Sequence, residues 1–238
     1  METWVIVLTL IAVAVSFTVS ASAGLGGSLI LVPTLALVLG TKEGVALAAL
    51  LLAANNVVKM FAYRETLPFR KALAVMVLVA LGAALGAGLL VAAPERLVTM
   101  AVIASFVIAL VAERLDLSRL RQAGGPVLAF GSGATSGFSG TSGPLKGMAI
   151  RQLDVDRAHF VGAASLASLV GDAAKTAVFT QAQLVSGESF LIVLAAIPLM
   201  LIATFTGRRI NRAIGEHGYS FLFWGVMAGY TGRLLLGL

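Results

Sequence analysis

The chain contains no cysteine. Disulfides, thiolate chemistry and iron–sulfur clusters are excluded. Charge is scarce too: Asp, Glu, Lys and Arg make up 12% of the 238 residues, about half of what a soluble domain carries. The 11 acidic residues form no cluster, which argues against a dedicated carrier of divalent cations. The two histidines, His159 and His217, stand far apart without metal-ligand spacing. No phosphate-binding loop, nucleophile motif or dinucleotide fingerprint is present. An enzyme would need a nucleophile with a base, or a metal cluster. We therefore expect no catalytic residues, no metal and no cofactor. A basic leader region is missing as well, Glu2 being the only charge near the start. The first apolar stretch is expected to stay as a membrane span rather than serve as a signal peptide.

What is abundant is apolar sequence. Hydrophobic residues make up 59% of the chain, and the mean hydropathy is +0.99. The runs are long and continuous rather than alternating, so this reads as an all-α polytopic membrane protein. Apolar segments cover 3–23, 28–40, 44–63, 70–93, 96–113, 124–137, 142–152, 157–180, 189–207 and 216–236. Segments 28–40, 124–137 and 142–152 are too short to cross a hydrocarbon core of about 30 Å as helices.

Loop charge sets the topology. If all ten segments count, one side collects Arg64, Arg70, Lys71, Arg114, Arg119, Arg121, Arg151, Arg157, Arg208, Arg209 and Arg212. The other collects Lys42, Arg96 and Arg233. The bias puts the first group in the cytoplasm and both termini outside, in a cytoplasmic (inner) membrane. It also accounts for the net charge of +6 without nucleic acid as a partner. Because the loops flanking 124–152 are both basic, that region is expected to enter and return, with GFSGTSGPLKG at 137–147 as its tip.

The chain carries an internal resemblance. SASAGLGGSLILVP at 20–33 is similar to SGATSGFSGTSGPL at 132–145, and AANNVVKMFAY at 53–63 lines up with LVGDAAKTAVF at 169–179. Asn56 then falls on Asp172 and Lys59 on Lys175. This suggests two halves, 1–115 and 120–238, of about five segments each. An odd number of crossings inverts one half relative to the other. Inverted repeats with broken helices meeting near the midplane are a transporter architecture.

The breaks GLGGSLILVP and SGFSGTSGP, and the two-half layout, resemble the TauE/SafE sulfite exporter family along essentially the whole chain. The second break departs from the family's usual Gly-x-Gly-Gly-Pro pattern, with Thr141-Ser142-Gly143-Pro144 followed by Lys146. The resemblance implies a multi-span permease that exports small sulfur-containing anions such as sulfite or organosulfonates.

Candidate anion-binding residues follow from chemistry. Gly24, Gly26, Gly27 and Ser28 form the first break; Ser139, Gly140, Thr141, Ser142 and Gly143 form the second. Glycine lets backbone N–H groups approach a ligand, and a helix N-terminus after a break favours an oxyanion. Gly82, Gly86 and Gly88 read instead as helix-packing positions. A charge within a span costs roughly 2.5–3.5 kcal/mol and marks function by default. Lys59 and Lys175 either line a path or snorkel outward. Lys146 either meets an anion or is solvated at the outer surface. Asp172 either pairs with Lys175 one turn away or accepts a proton. Asn55 and Asn56 either donate to the anion or bond across helices. The expected function is export of a small anionic substrate from the lipid bilayer's inner side by alternating access. The alternative is a proton- or sodium-coupled carrier of another small organic anion. The sequence leaves oligomeric state open, a homodimer among the choices.

Overall fold

The computed structural model describes residues 3–23, 27–112 and 124–213. Segment 216–236 lies outside them, as do Gly24, Gly26, Arg114, Arg119, Arg121, His217 and Arg233. Nine α-helices and no strand occur among the described residues: α1 (Thr3–Ala23), α2 (Gly27–Leu39), α3 (Thr41–Ala62), α4 (Phe69–Ala92), α5 (Glu95–Ala112), α6 (Gly125–Ser139), α7 (Gly143–Arg151), α8 (Arg157–Gln181) and α9 (Gly187–Ala213). A 3-10 turn, Arg64–Thr66, joins α3 to α4.

The surface is inverted relative to a soluble protein. Leu73, Val77, Leu81, Leu85 and Leu89 form an exposed stripe at four-residue spacing along α4. Trp4, Val7, Ile11 and Val15 do the same on α1. Meanwhile Ser16, Ser20, Asn55, Asn56, Ser132 and Ser136 are buried. Apolar outside and polar inside is what lipid as solvent selects. Among the described residues, four stretches are long and apolar enough to cross a membrane: Trp4–Ser22, Thr41–Ala62, Phe69–Ala92 and Gly187–Ile210. At 13 residues, α2 is about 20 Å long, and α7 is shorter still, so neither spans alone.

Lipid gives apolar helices no hydrophobic reason to associate, so close packing of small residues does that work. Along the α4–α6 contact, a Cβ at Gly82 would strike the Phe130 carbonyl and one at Gly86 the Ala134 carbonyl. Reciprocally, a Cβ at Gly133 would strike the Val79 carbonyl and one at Gly137 that of Ala83. Gly88 differs: nothing lies within 4 Å of its Cβ position, and it faces outward. The packing role expected for it is therefore corrected; it sits two residues off the Gly82–Gly86 face.

The second polar break is shorter than the composition suggests. GFS at 137–139 completes α6, and GPLKG at 143–147 already belongs to α7. Only 140–142 lie between the helices. Gly140 ends α6 with φ +78°, a left-handed conformation that L side chains reach at a cost of about 1–2 kcal/mol. Pro144 falls in the first turn of α7, where its missing N–H is no loss.

Helix boundaries recur at a fixed interval. α1 and α6 end at 23 and 139, α2 and α7 begin at 27 and 143, and α3 and α8 begin at 41 and 157. That interval matches Asn56 to Asp172. It also matches Ser20 to Ser136, so the segment corresponding to 20–33 starts at 136 and not at 132. Packing repeats in the same sense: α1 lies on α9 as α6 lies on α4, α3 meets α9 as α8 meets α4, and α3 packs on α8.

Candidate functional site

Where α1, α3, α6, α7 and α8 converge, four ionisable side chains are buried together: Lys59 (1% exposed), Lys146 (7%), Asp172 (4%) and Lys175 (1%). These are the buried ionisable residues among those described. At such burial neither Lys59 nor Lys175 extends to the surface, which removes the snorkelling alternative for both. Lys146 likewise is not solvated, because the second break is packed inside the protein.

The charges are connected by short bonds. Lys175 Nζ pairs with Asp172 Oδ1 at 2.8 Å, one helical turn away on α8. Asn56 Nδ2 donates to the other oxygen, Oδ2, at 2.8 Å, joining α3 to α8. Lys59 Nζ donates to Ser20 Oγ on α1 at 3.2 Å. Lys175 Nζ donates to Ser136 Oγ on α6 at 3.1 Å. Each lysine thus reaches a serine 39 residues earlier, just before the end of the first arm of a broken pair. Helix C-termini carry partial negative charge and favour a nearby cation.

Lys146 is held differently. Its Nζ donates to Ser168 Oγ on α8 at 3.0 Å. Among the described residues it forms no ion pair, although it lies within coulombic reach of Lys59, Asp172 and Lys175. An ammonium has three donors, and both carboxylate oxygens of Asp172 are already engaged. The cluster therefore combines three amines with one carboxylate. An anion is the chemical complement of that set.

The breaks meet beside this cluster. Ser28 Oγ, in the first turn of α2, donates to Thr141 Oγ1 in the second break at 3.2 Å. Val32 of α2 lies against Gly140, where a Cβ would come within 2.7 Å of Val32 Cγ1. Ser139 Oγ accepts from Ser105 Oγ of α5 at 2.7 Å, and Ser142 is buried at the start of α7. The Gly27 carbonyl accepts from Ser16 Oγ at 2.6 Å, and a Cβ on Gly27 would press on Ser20. Asn55 stands apart from Asn56. Its Oδ1 accepts from Thr204 Oγ1 of α9 at 3.0 Å, and its buried Nδ2 has no partner among the described residues.

The serines at 20, 136 and 168 that accept from the three buried lysines are among the polar residues that sequence reasoning left out. Two other sites are elsewhere. An open depression of about 520 Å³ between the α3–α4 turn and the α7–α8 loop is lined by Arg70, Lys71, Asp154, Asp156 and His159. Its charges of both signs give it no preference for an anion. Asp156 caps α8, its Oδ1 accepting from the His159 backbone N–H at 2.9 Å while its Oδ2 meets His159 Nδ1 at 2.7 Å, and the described residues contain no cluster suited to a metal. Arg208 stacks over Tyr63, 5.6 Å from the ring centroid, and the Tyr63 hydroxyl donates to the Ala21 carbonyl at 2.7 Å.

Residues 8–234 match the family described as sulfite exporter TauE/SafE. The chain belongs to the TauE/SafE sulfite exporter family. Neither the curated proteins nor the solved structures gave a match. Apolar outer stripes around a polar interior fit a membrane protein of the TauE/SafE family. Membership implies a membrane exporter of sulfite or a sulfur anion of that kind.

Proposed function

We propose that the protein exports a small sulfur oxyanion, sulfite or an organosulfonate, from the cytoplasm across the inner membrane. The cluster of Lys59, Lys146, Lys175 and Asp172 is its anion site. The observation that carries this reading is Lys146, a buried amine that among the described residues is bonded only to a neutral hydroxyl, beside Asp172, whose two oxygens are already engaged by Lys175 and Asn56. A buried cation without a counter-charge is costly, and a diffusible anion supplies that charge. The cytoplasm-negative potential drives export without a coupling ion, at about 2.3 kcal/mol per charge per 100 mV.

The reading extends to the mechanism. The two halves, 1–115 and 120–238, form inverted repeats with both termini outside. The broken pairs α1–α2 and α6–α7 alternate in opening the site to either side. The matching helix boundaries, the reciprocal packing and the paired Lys–Ser bonds support it. Sulfite efflux from proteoliposomes under an imposed potential tests the proposal, run beside sulfate and an organosulfonate. Efflux that follows the potential is the expected result. Absence of flux for all three anions, with monodisperse protein, would overturn it.

A further inference from the structure

Positions 56 and 172 touch each other, yet one carries an amide and the other a carboxylate. Asp172 is thus the sole buried carboxylate described among three buried amines. Both of its oxygens are engaged, one by Lys175 and one by Asn56. It already does to Lys175 what an incoming anion would do.

We propose that Asp172 is a tethered counter-ion that competes with the transported anion for Lys175 and so makes release fast. This rests on the anion-site reading above. In the empty site Asp172 holds Lys175, which spares the protein one uncompensated buried charge. When the anion arrives, Lys175 is shared or handed over; Lys146, bonded among the described residues only to Ser168, makes the first contact. On release Asp172 recaptures Lys175. A group fixed on the same helix, one turn away, acts at high effective concentration. Asn56 is the positioning residue that keeps the carboxylate between α3 and α8.

The prediction is opposite to that for a structural ion pair. Without the carboxylate, the amines bind the anion more tightly and release it more slowly. In proteoliposomes, Asp172→Asn lowers the KM for sulfite efflux on the order of tenfold and lowers the maximal rate with it, as expected when a neighbouring competing charge is removed. Asp172→Ser, a smaller neutral side chain, behaves alike, and Asp172→Glu restores both constants. A raised or unchanged KM in both neutral variants overturns the proposal. So does failure of both neutral variants to fold while Asp172→Glu folds, since the carboxylate would then be purely structural. Absence of sulfite flux in the wild type is a different outcome: it overturns the anion-export reading itself.

Discussion

Lys146→Met removes one ammonium from the cluster and keeps an unbranched side chain of similar length. An ammonium and an anionic oxygen 4 Å apart attract by about 4 kcal/mol at an effective dielectric of about 20. Lys59 and Lys175 remain to recover part of that, so the net loss approaches one charge-assisted hydrogen bond, about 1.5–3 kcal/mol. This corresponds to roughly 10- to 150-fold in apparent affinity for sulfite. Folding suffers less. The change leaves the Ser168 hydroxyl without its donor, a cost of about 1 kcal/mol, so the variant should purify as well as the wild type. The assay is potential-driven sulfite efflux over a range of internal concentrations, with melting temperature in detergent as control. A folded variant whose KM moves by less than about threefold, under 1 kcal/mol, would refute the placement of Lys146 on the anion's path.

Three further outcomes follow from packing. Gly86→Leu drives a side chain into the Ala134 carbonyl and should lower stability by at least the 1–3 kcal/mol typical of overpacking; an unchanged melting temperature would rule out the close α4–α6 contact. Gly140→Ala combines a left-handed φ with contact on Val32, and should cost about 1–2 kcal/mol for the backbone alone. Adding Val32→Ala should relieve the contact but not the strain, so the double variant melts between the single variant and the wild type. Ser20→Ala and Ser136→Ala each leave a lysine without its hydroxyl acceptor, and should reduce sulfite efflux to similar extents; a large effect at one and none at the other would count against equivalent roles for the two halves.

Much of this was legible in the sequence because lipid imposes a simple rule. A charge inside an apolar run is expensive, so Lys59, Lys175 and Asp172 stand out in a plain reading, and each occupies the buried cluster. Helix ends were mostly legible too: the segment read as 3–23 is α1, and 157–180 is α8 to within one residue. The exception is the last described helix. α9 runs past Gly207 and three arginines, Arg208, Arg209 and Arg212, to Ala213, because arginine is a good helix former and a charge run need not end a helix. The serines were hidden for a different reason. A hydroxyl in an apolar helix commonly bonds its own backbone one turn back, as Ser165 does to Val161 and Thr34 to Ile30. Nothing local distinguishes these from Ser20 or Ser136, whose meaning depends on a lysine 39 residues away. Asn55 and Asn56 were likewise alike until packing turned one toward Thr204 and the other toward Asp172. Small-residue composition could not tell Gly88 from Gly86, since only the helix face decides which one meets a neighbour.

The glycine contacts also distribute stiffness unevenly. α6 is seated on α4 at four places where backbone meets backbone, with no side chain between to yield. On the α1–α9 contact the described glycine is Gly207, whose Cβ position lies against the Thr18 carbonyl, the Ala21 methyl and the Ser22 nitrogen. Side chains can change rotamer and let helices slide; abutting backbones cannot. In mechanical terms α4 and α6 form one stiff block, in which neither helix can slide on the other without parting backbone from backbone.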